Sequence, residues 1–151
     1  MDITKKLEEL NITLPEPPKK GGMYSSVKIY GGCYAYVSGC GPVIGTPVQG
    51  RLGAEFSIPE GQIYARNCML NILAVLKREL GDLNRLKGAI KILTFVSSAE
   101  DFFDQPEVAN GGSQLLKDLF GEEGLPARSA VGVSALPGNI PVETEALFEI
   151  E

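Results

Sequence analysis

Apolar residues recur at helical spacing in three stretches of the chain and alternate or run together in four others. Ile3, Leu7 and Leu10 share one side of a helix written over residues 2–11, and Pro15, Pro17 and Pro18 forbid its continuation. Residues 1–20 therefore read as a short amphipathic helix and a Pro-rich linker. From Val27 to Gly39 the chain is rich in Tyr, Val and Ile, and Gly31-Gly32 divides it into two short strands joined by a tight turn, Cys33 to Val37 being the inner strand. Gly and Pro mark residues 39–53 as loop. Ser57-Ile58-Pro59-Glu60 has the form of a capping box with proline in the first turn, and Ala65, Cys68, Met69, Ile72, Leu73, Leu76 and Leu80 then repeat at helical spacing up to Gly81. Ala89 to Val96 is β-rich and almost continuously apolar, which predicts a central strand covered on both faces. Leu115, Leu116, Leu119 and Phe120 predict a second main helix, preceded by Asn110 and ended by Gly121. Ser129–Leu136 and Val142–Ile150 complete the strands, with a turn over 137–141.

Strands and two main helices in this order predict an α+β fold, a mixed sheet with both helices on one face, in a single domain over 1–151. The other face then carries apolar residues such as Tyr36 and Val131 with no further element to cover it. Closed oligomerisation is the economical solution, and it places clefts between subunits.

Composition narrows the chemistry. The 151 residues include no histidine and no tryptophan, and 14 basic against 19 acidic residues give a net charge of −5. Without histidine there is no Ser-His-Asp triad, no Cys-His dyad and no imidazole metal ligand. Three cysteines, Cys33, Cys40 and Cys68, with no Cys-x-x-Cys spacing suggest neither a disulfide framework nor a zinc site. Net acidity and the lack of a Lys/Arg cluster longer than a pair argue against a nucleic-acid partner. No run reaches the roughly 18 apolar residues of a membrane span, and the N-terminus lacks a signal-peptide core, so a cytoplasmic location is expected.

The most informative segment is Ala127-Arg128-Ser129-Ala130-Val131-Gly132-Val133, followed by Leu136-Pro137 and Val142-Glu143-Thr144-Glu145. Ala-Arg-Ser-x-Val-x-Val-x-x-Leu-Pro with a Val-Glu-x-Glu strand resembles the C-terminal signature of the YjgF-like reactive intermediate deaminase (Rid) family, also known under the label endoribonuclease L-PSP. Val37-Ser38-Gly39, the long helix ending near Leu80-Gly81-Asp82, and Asp101-Phe102 agree in order. The likeness runs from about Tyr24 to the C-terminus, and the Pro-rich N-terminus and residues 104–111 look more like a less characterised branch.

The resemblance implies a chorismate-mutase-like fold, a homotrimer, and ligand sites in the clefts between subunits. It implies that Arg128 grips the carboxylate of a 2-imino or 2-enamino acid, which water hydrolyses to a 2-keto acid and ammonia, with Glu143 orienting or activating the water. No metal or organic cofactor is called for, since the substrate already holds an electrophilic carbon. Read from the residues alone, Arg128 equally suits a structural ion pair with Glu143 or Glu145, and Glu143 a strand-edge carboxylate in solvent. Tyr24 matches the family's N-terminal tyrosine and also suits a core or interface tyrosine. Asn110 matches a family asparagine and also suits a helix cap. Gly39 closes the Ser-Gly strand end. Two positions depart from the family: Cys40 stands where its glutamine does, and Ala130 where the best-studied deaminases carry a cysteine whose backbone helps hold the carboxylate. Alanine keeps the backbone role and changes the pocket. Cys40 could be read as a nucleophile, but packing suits it better, because no cationic neighbour is evident to make a thiolate. The resemblance leaves two functions open: hydrolysis of reactive imines, or non-catalytic binding of keto acids and other small carboxylates by a trimer. The endoribonuclease label gains little from an acidic, histidine-free chain.

Overall fold

The computed structural model describes residues 1–151. The elements are α1 (Ile3–Glu9), β1 (Val27–Tyr30), β2 (Tyr34–Cys40), α2 (Ile58–Leu80), β3 (Leu86–Ser97), α3 (Gln105–Phe120), β4 (Ala127–Val133) and β5 (Val142–Ile150). The strands form one mixed sheet in the order β1-β2-β5-β3-β4. Only β3 and β4 are parallel, and α3 makes the crossover that parallel neighbours require.

The capping box closes as the sequence predicts: the Ser57 hydroxyl takes the Glu60 amide while the Glu60 carboxylate takes the Ser57 amide. Gly81 ends the helix at φ 80°, a conformation glycine adopts without strain. Along β5, Val142, Thr144, Ala146, Phe148 and Ile150 are buried beneath the helices, and the residues between them point the other way. The core lies between the sheet and α2 and α3, with Ile3 and Leu7 of α1 added at one end.

The strand over residues 86–97 lies inside the sheet as expected, between β5 and β4, and β5 is the middle strand of the five. Three expectations change. That strand is fully buried on one side only: Ile92, Thr94 and Val96 lie under the helices, while Ile90 stays 37% exposed on a chain whose single helix layer covers one face. β4 stops at Val133 rather than Leu136, because its one neighbour, β3, ends at the paired Ser97. Asn110 does not cap α3. The helix begins five residues earlier, after Asp104, with Pro106 in its first turn.

The two glycines after Asn110 draw it into the helix. Gly111-Gly112 would weaken an isolated helix, but here they let α3 lie against α2: a Cβ at Gly111 would stand 1.9 Å from the Gln62 carbonyl oxygen, and one at Gly112 3.2 Å from that of Ala65. Tertiary contact thus overrides local propensity. Gly111→Ala is expected to cost about 1–3 kcal/mol in denaturant unfolding, despite alanine's better helix propensity. Gly88→Ala, where nothing lies within 4 Å of an added Cβ, is the control and should leave the midpoint nearly unchanged.

Candidate functional site

The residues singled out from the sequence fall into two groups. Arg128 and Ala130 lie on the helix-covered face of β4, level with the buried Ile92 and Thr94 of β3. There Arg128 Nη1 donates to Asn110 Oδ1 at 2.8 Å and to Ser113 Oγ at 3.1 Å, both one turn apart on α3. Both partners are neutral, so they hold the guanidinium in place without cancelling its charge. No carboxylate of the chain lies within ion-pairing distance of Arg128, so no structural pair with Glu143 or Glu145 forms within one subunit. Its remaining donors face a cleft of about 380 Å³ lined by Asn110, Ser113, Gln114, Lys117, Leu125 and Pro126. A fixed guanidinium with unused donors beside a cleft is suited to a carboxylate held by two parallel hydrogen bonds.

Glu143, Gly39 and Tyr24 form the second group. Glu143 is half-buried on the middle strand, opposite Phe95, on the face without helices. It is therefore not a strand-edge carboxylate. Gly39 lets it sit close, since a Cβ there would come within 2.8 Å of Glu143 Cδ. Desolvation by burial, and then the like charge of Glu145, raise the Glu143 pKa above the ordinary carboxylate range. Tyr24 is 44% exposed, its hydroxyl accepting from the Gly21 amide at 3.0 Å, and with Gly39 and Cys40 it lines a neighbouring cavity of about 210 Å³. Cys40 packs against the core, and burial first, then Glu143, push its thiol up to about 12, so it is no nucleophile.

The two groups do not meet within one chain. From Arg128 to Glu143 the sheet crosses two strand spacings, roughly 10 Å, and shifts three residues, also roughly 10 Å, and the two side chains leave from opposite faces. Ser113 is the partner that sequence reading missed. Its signal was its spacing of three from Asn110, which becomes visible only when the helix is started at Gln105. No group of three His, Cys, Asp or Glu side chains is placed to hold a metal ion, and no helix is long and apolar enough to cross a membrane.

Residues 5–143 match the family described as "YjgF/chorismate_mutase-like, putative endoribonuclease". The chain belongs to this family. It is 40% identical over 151 residues to protein TCP17 of Trypanosoma cruzi, covering 98% of this chain and 94% of that one. The crystal structure of Atu1372 from Agrobacterium tumefaciens, of unknown function, is 38% identical with a TM-score of 0.88, covering 99% and 92% of the two chains. That of a Shewanella oneidensis MR-1 protein described as "a putative endoribonuclease" is 27% identical with a TM-score of 0.93, covering 99% and 100%. The YjgF-like fold thus includes the N-terminal helix and linker in both neighbours.

Because the folded chain holds the Glu143 proton more tightly than the unfolded one, ionisation of Glu143 opposes folding. Its favourable contribution is present below the ordinary carboxylate range and is lost as pH rises through the raised value. Glu143→Gln should therefore raise the denaturant midpoint at pH 7 and change it little near about pH 4. A lower midpoint at pH 7 would contradict this. Alkylation at about pH 8 should label only the half-buried Cys33 of the native protein, and all three thiols after denaturation; mass spectrometry of the intact chain reads the difference.

Proposed function

We propose that the protein binds small carboxylates through Arg128 and hydrolyses reactive 2-imino and 2-enamino acids to 2-keto acids and ammonia, in clefts between the subunits of a cytoplasmic homotrimer. The observation that carries this reading is the Arg128 guanidinium, fixed by Asn110 and Ser113 and left without an acidic partner beside an open cleft. A charge held so waits for an anion. Membership of the YjgF/Rid family supports the reaction class.

The separation of the two groups supports assembly with other copies of the chain, for which the family resemblance suggests a trimer. Glu143, Gly39 and Tyr24 complete a site with Arg128 only if a second subunit brings them to it, and the uncovered sheet face with Tyr36, 52% exposed, and Val131, 39% exposed, is the surface that such packing would bury. In that cleft the Ala130 backbone lies beside the bound carboxylate. Tyr24 closes the pocket over the substrate.

In the reaction, a water oxygen adds to the imine carbon as the C=N π bond opens to a carbinolamine; the remaining C–N bond then breaks as the C=O bond forms, and the two water protons leave on ammonia. An enamine first takes a proton at its β-carbon and gives up one from nitrogen to become the imine. Glu143, whose burial raises its proton affinity, accepts the water proton and returns it to the departing nitrogen. Hydrolysis of such compounds is intrinsically easy, so carboxylate capture and water placement suffice. The alternative reading, a non-catalytic trimer that binds keto acids or other small carboxylates, predicts ligand affinity without turnover.

With 2-iminobutanoate generated in situ, wild-type protein should speed keto-acid release, Arg128→Ala should lose at least about 10²-fold in kcat/KM through lost substrate binding, and Glu143→Gln should lose about 10²-fold in kcat. Wild-type rates equal to those of Arg128→Ala would overturn the hydrolase reading. Affinity for 2-oxobutanoate that survives in Glu143→Gln, with no turnover in any variant, would establish the binding protein instead.

A further inference from the structure

Asn110 and Gln114 stand as a ridge on α3. On one side lies the cleft of Arg128, and on the other a separate cavity of about 330 Å³, whose far wall is Pro59, Gln62, Ile63 and Arg66 of α2. Gly111 closes the seam beneath it, because the missing side chain lets α3 rest on the Gln62 carbonyl. The walls of this second cavity are therefore two packed helices, and the side chains that face it are set on rigid elements.

The polar groups around it are used in a particular pattern. Arg66 is half-buried and makes no hydrogen bond and no ion pair, so its N–H donors are free. Arg128 can only donate, so it turns Asn110 Oδ1 toward itself and leaves Asn110 Nδ2 as a donor with no partner in the chain. The two glutamines are the reverse. Gln62 Nε2 donates to the Glu107 carbonyl at 2.9 Å, and Gln114 Nε2 donates to Asp118 Oδ1 at 2.8 Å, so each keeps an unpaired amide oxygen. No carboxylate lines the cavity to neutralise Arg66. Ile63, 58% exposed, and Pro59 add an apolar wall.

A ligand complementary to these groups has an anion for Arg66 and Asn110 Nδ2, an N–H or O–H donor for the oxygens of Gln62 and Gln114, and a small apolar part for Ile63. We propose that the cavity between α2 and α3 is a second binding site, separate from that of Arg128, for small acids with a donor on the carbon next to the carboxylate, namely α-amino and α-hydroxy acids. A 2-keto acid has no such donor and leaves the two amide oxygens unmatched, so the two sites sort amino acid from keto acid. This site rests on its own geometry and not on the function proposed for Arg128.

The test is a titration of ¹⁵N-labelled protein, followed by amide chemical shifts, with L-valine, 2-hydroxy-3-methylbutanoate and 3-methylbutanoate, which lacks the donor. In wild type the first two should shift the amides of Ile63 and Arg66 and bind about fivefold or more tightly than the third, the value of one hydrogen bond. Arg66→Gln should weaken both by about tenfold or more, and Arg66→Lys, which keeps the charge and loses the fork, should keep part of the affinity. Arg128→Ala should leave the shifts at Ile63 and Arg66 in place. No shift at Ile63 and Arg66 in wild type, equal binding of 3-methylbutanoate, affinity unmoved by Arg66→Gln, or shifts abolished by Arg128→Ala would each overturn the proposal. Failure to hydrolyse 2-iminobutanoate would overturn the function proposed for Arg128 and leave this site standing.

Discussion

A sheet with helices on one side only must find cover for the other, and this constraint orders the rest of the molecule. Five strands and two main helices supply one layer of packing between them. The helix-covered face takes the large buried side chains, from Ile92 and Phe148 to Leu73 and Leu116. The opposite face keeps Tyr36, Leu93, Phe95, Val131 and Leu147 beside Glu143 and Glu145, a mixture too apolar for water and too charged for a monomer's core. Arg128 belongs to the first face and Glu143 to the second.

That placement explains why the charges are arranged as they are. Arg128 rises on an edge strand toward α3, where neutral side chains steady it and nothing acidic competes for it. Glu143 lies on the middle strand, where partial burial and Glu145 disfavour its ionised form. Within one chain neither neutralises the other, so the Arg128 guanidinium keeps its charge free for an anion.

Much of this was legible in the sequence, and the reasons for the rest are physical. The caps of α2 and the glycine that ends α3 are local chemistry, so Ser57, Glu60, Gly81 and Gly121 announced them. Alternation in Val142-Glu143-Thr144-Glu145-Ala146 puts Glu143 opposite the core. Ala127-Arg128-Ser129-Ala130-Val131-Gly132-Val133 shows no such alternation, so the face to which Arg128 belongs could not be read from it. Gly111-Gly112 reads as a break in any local scale, and only the close approach of α2 explains why the helix runs through it. With that break removed, Asn110 changes from a cap to a ligand of Arg128, and Ser113 joins it. The middle position of β5 depends on long-range pairing, which no window of the sequence contains.

The central claim is that each site takes Arg128 from one subunit and Glu143 from the next. Mixing separately inactive Arg128→Ala and Glu143→Gln proteins, after mild dissociation and reassembly, tests it directly. Random trimers should regain roughly a quarter of wild-type imine hydrolysis per site, because one interface in four then joins an intact arginine to an intact glutamate. If the mixture remains as inactive as its components while reassembled wild type recovers full activity, the site does not lie between subunits and the central claim is contradicted.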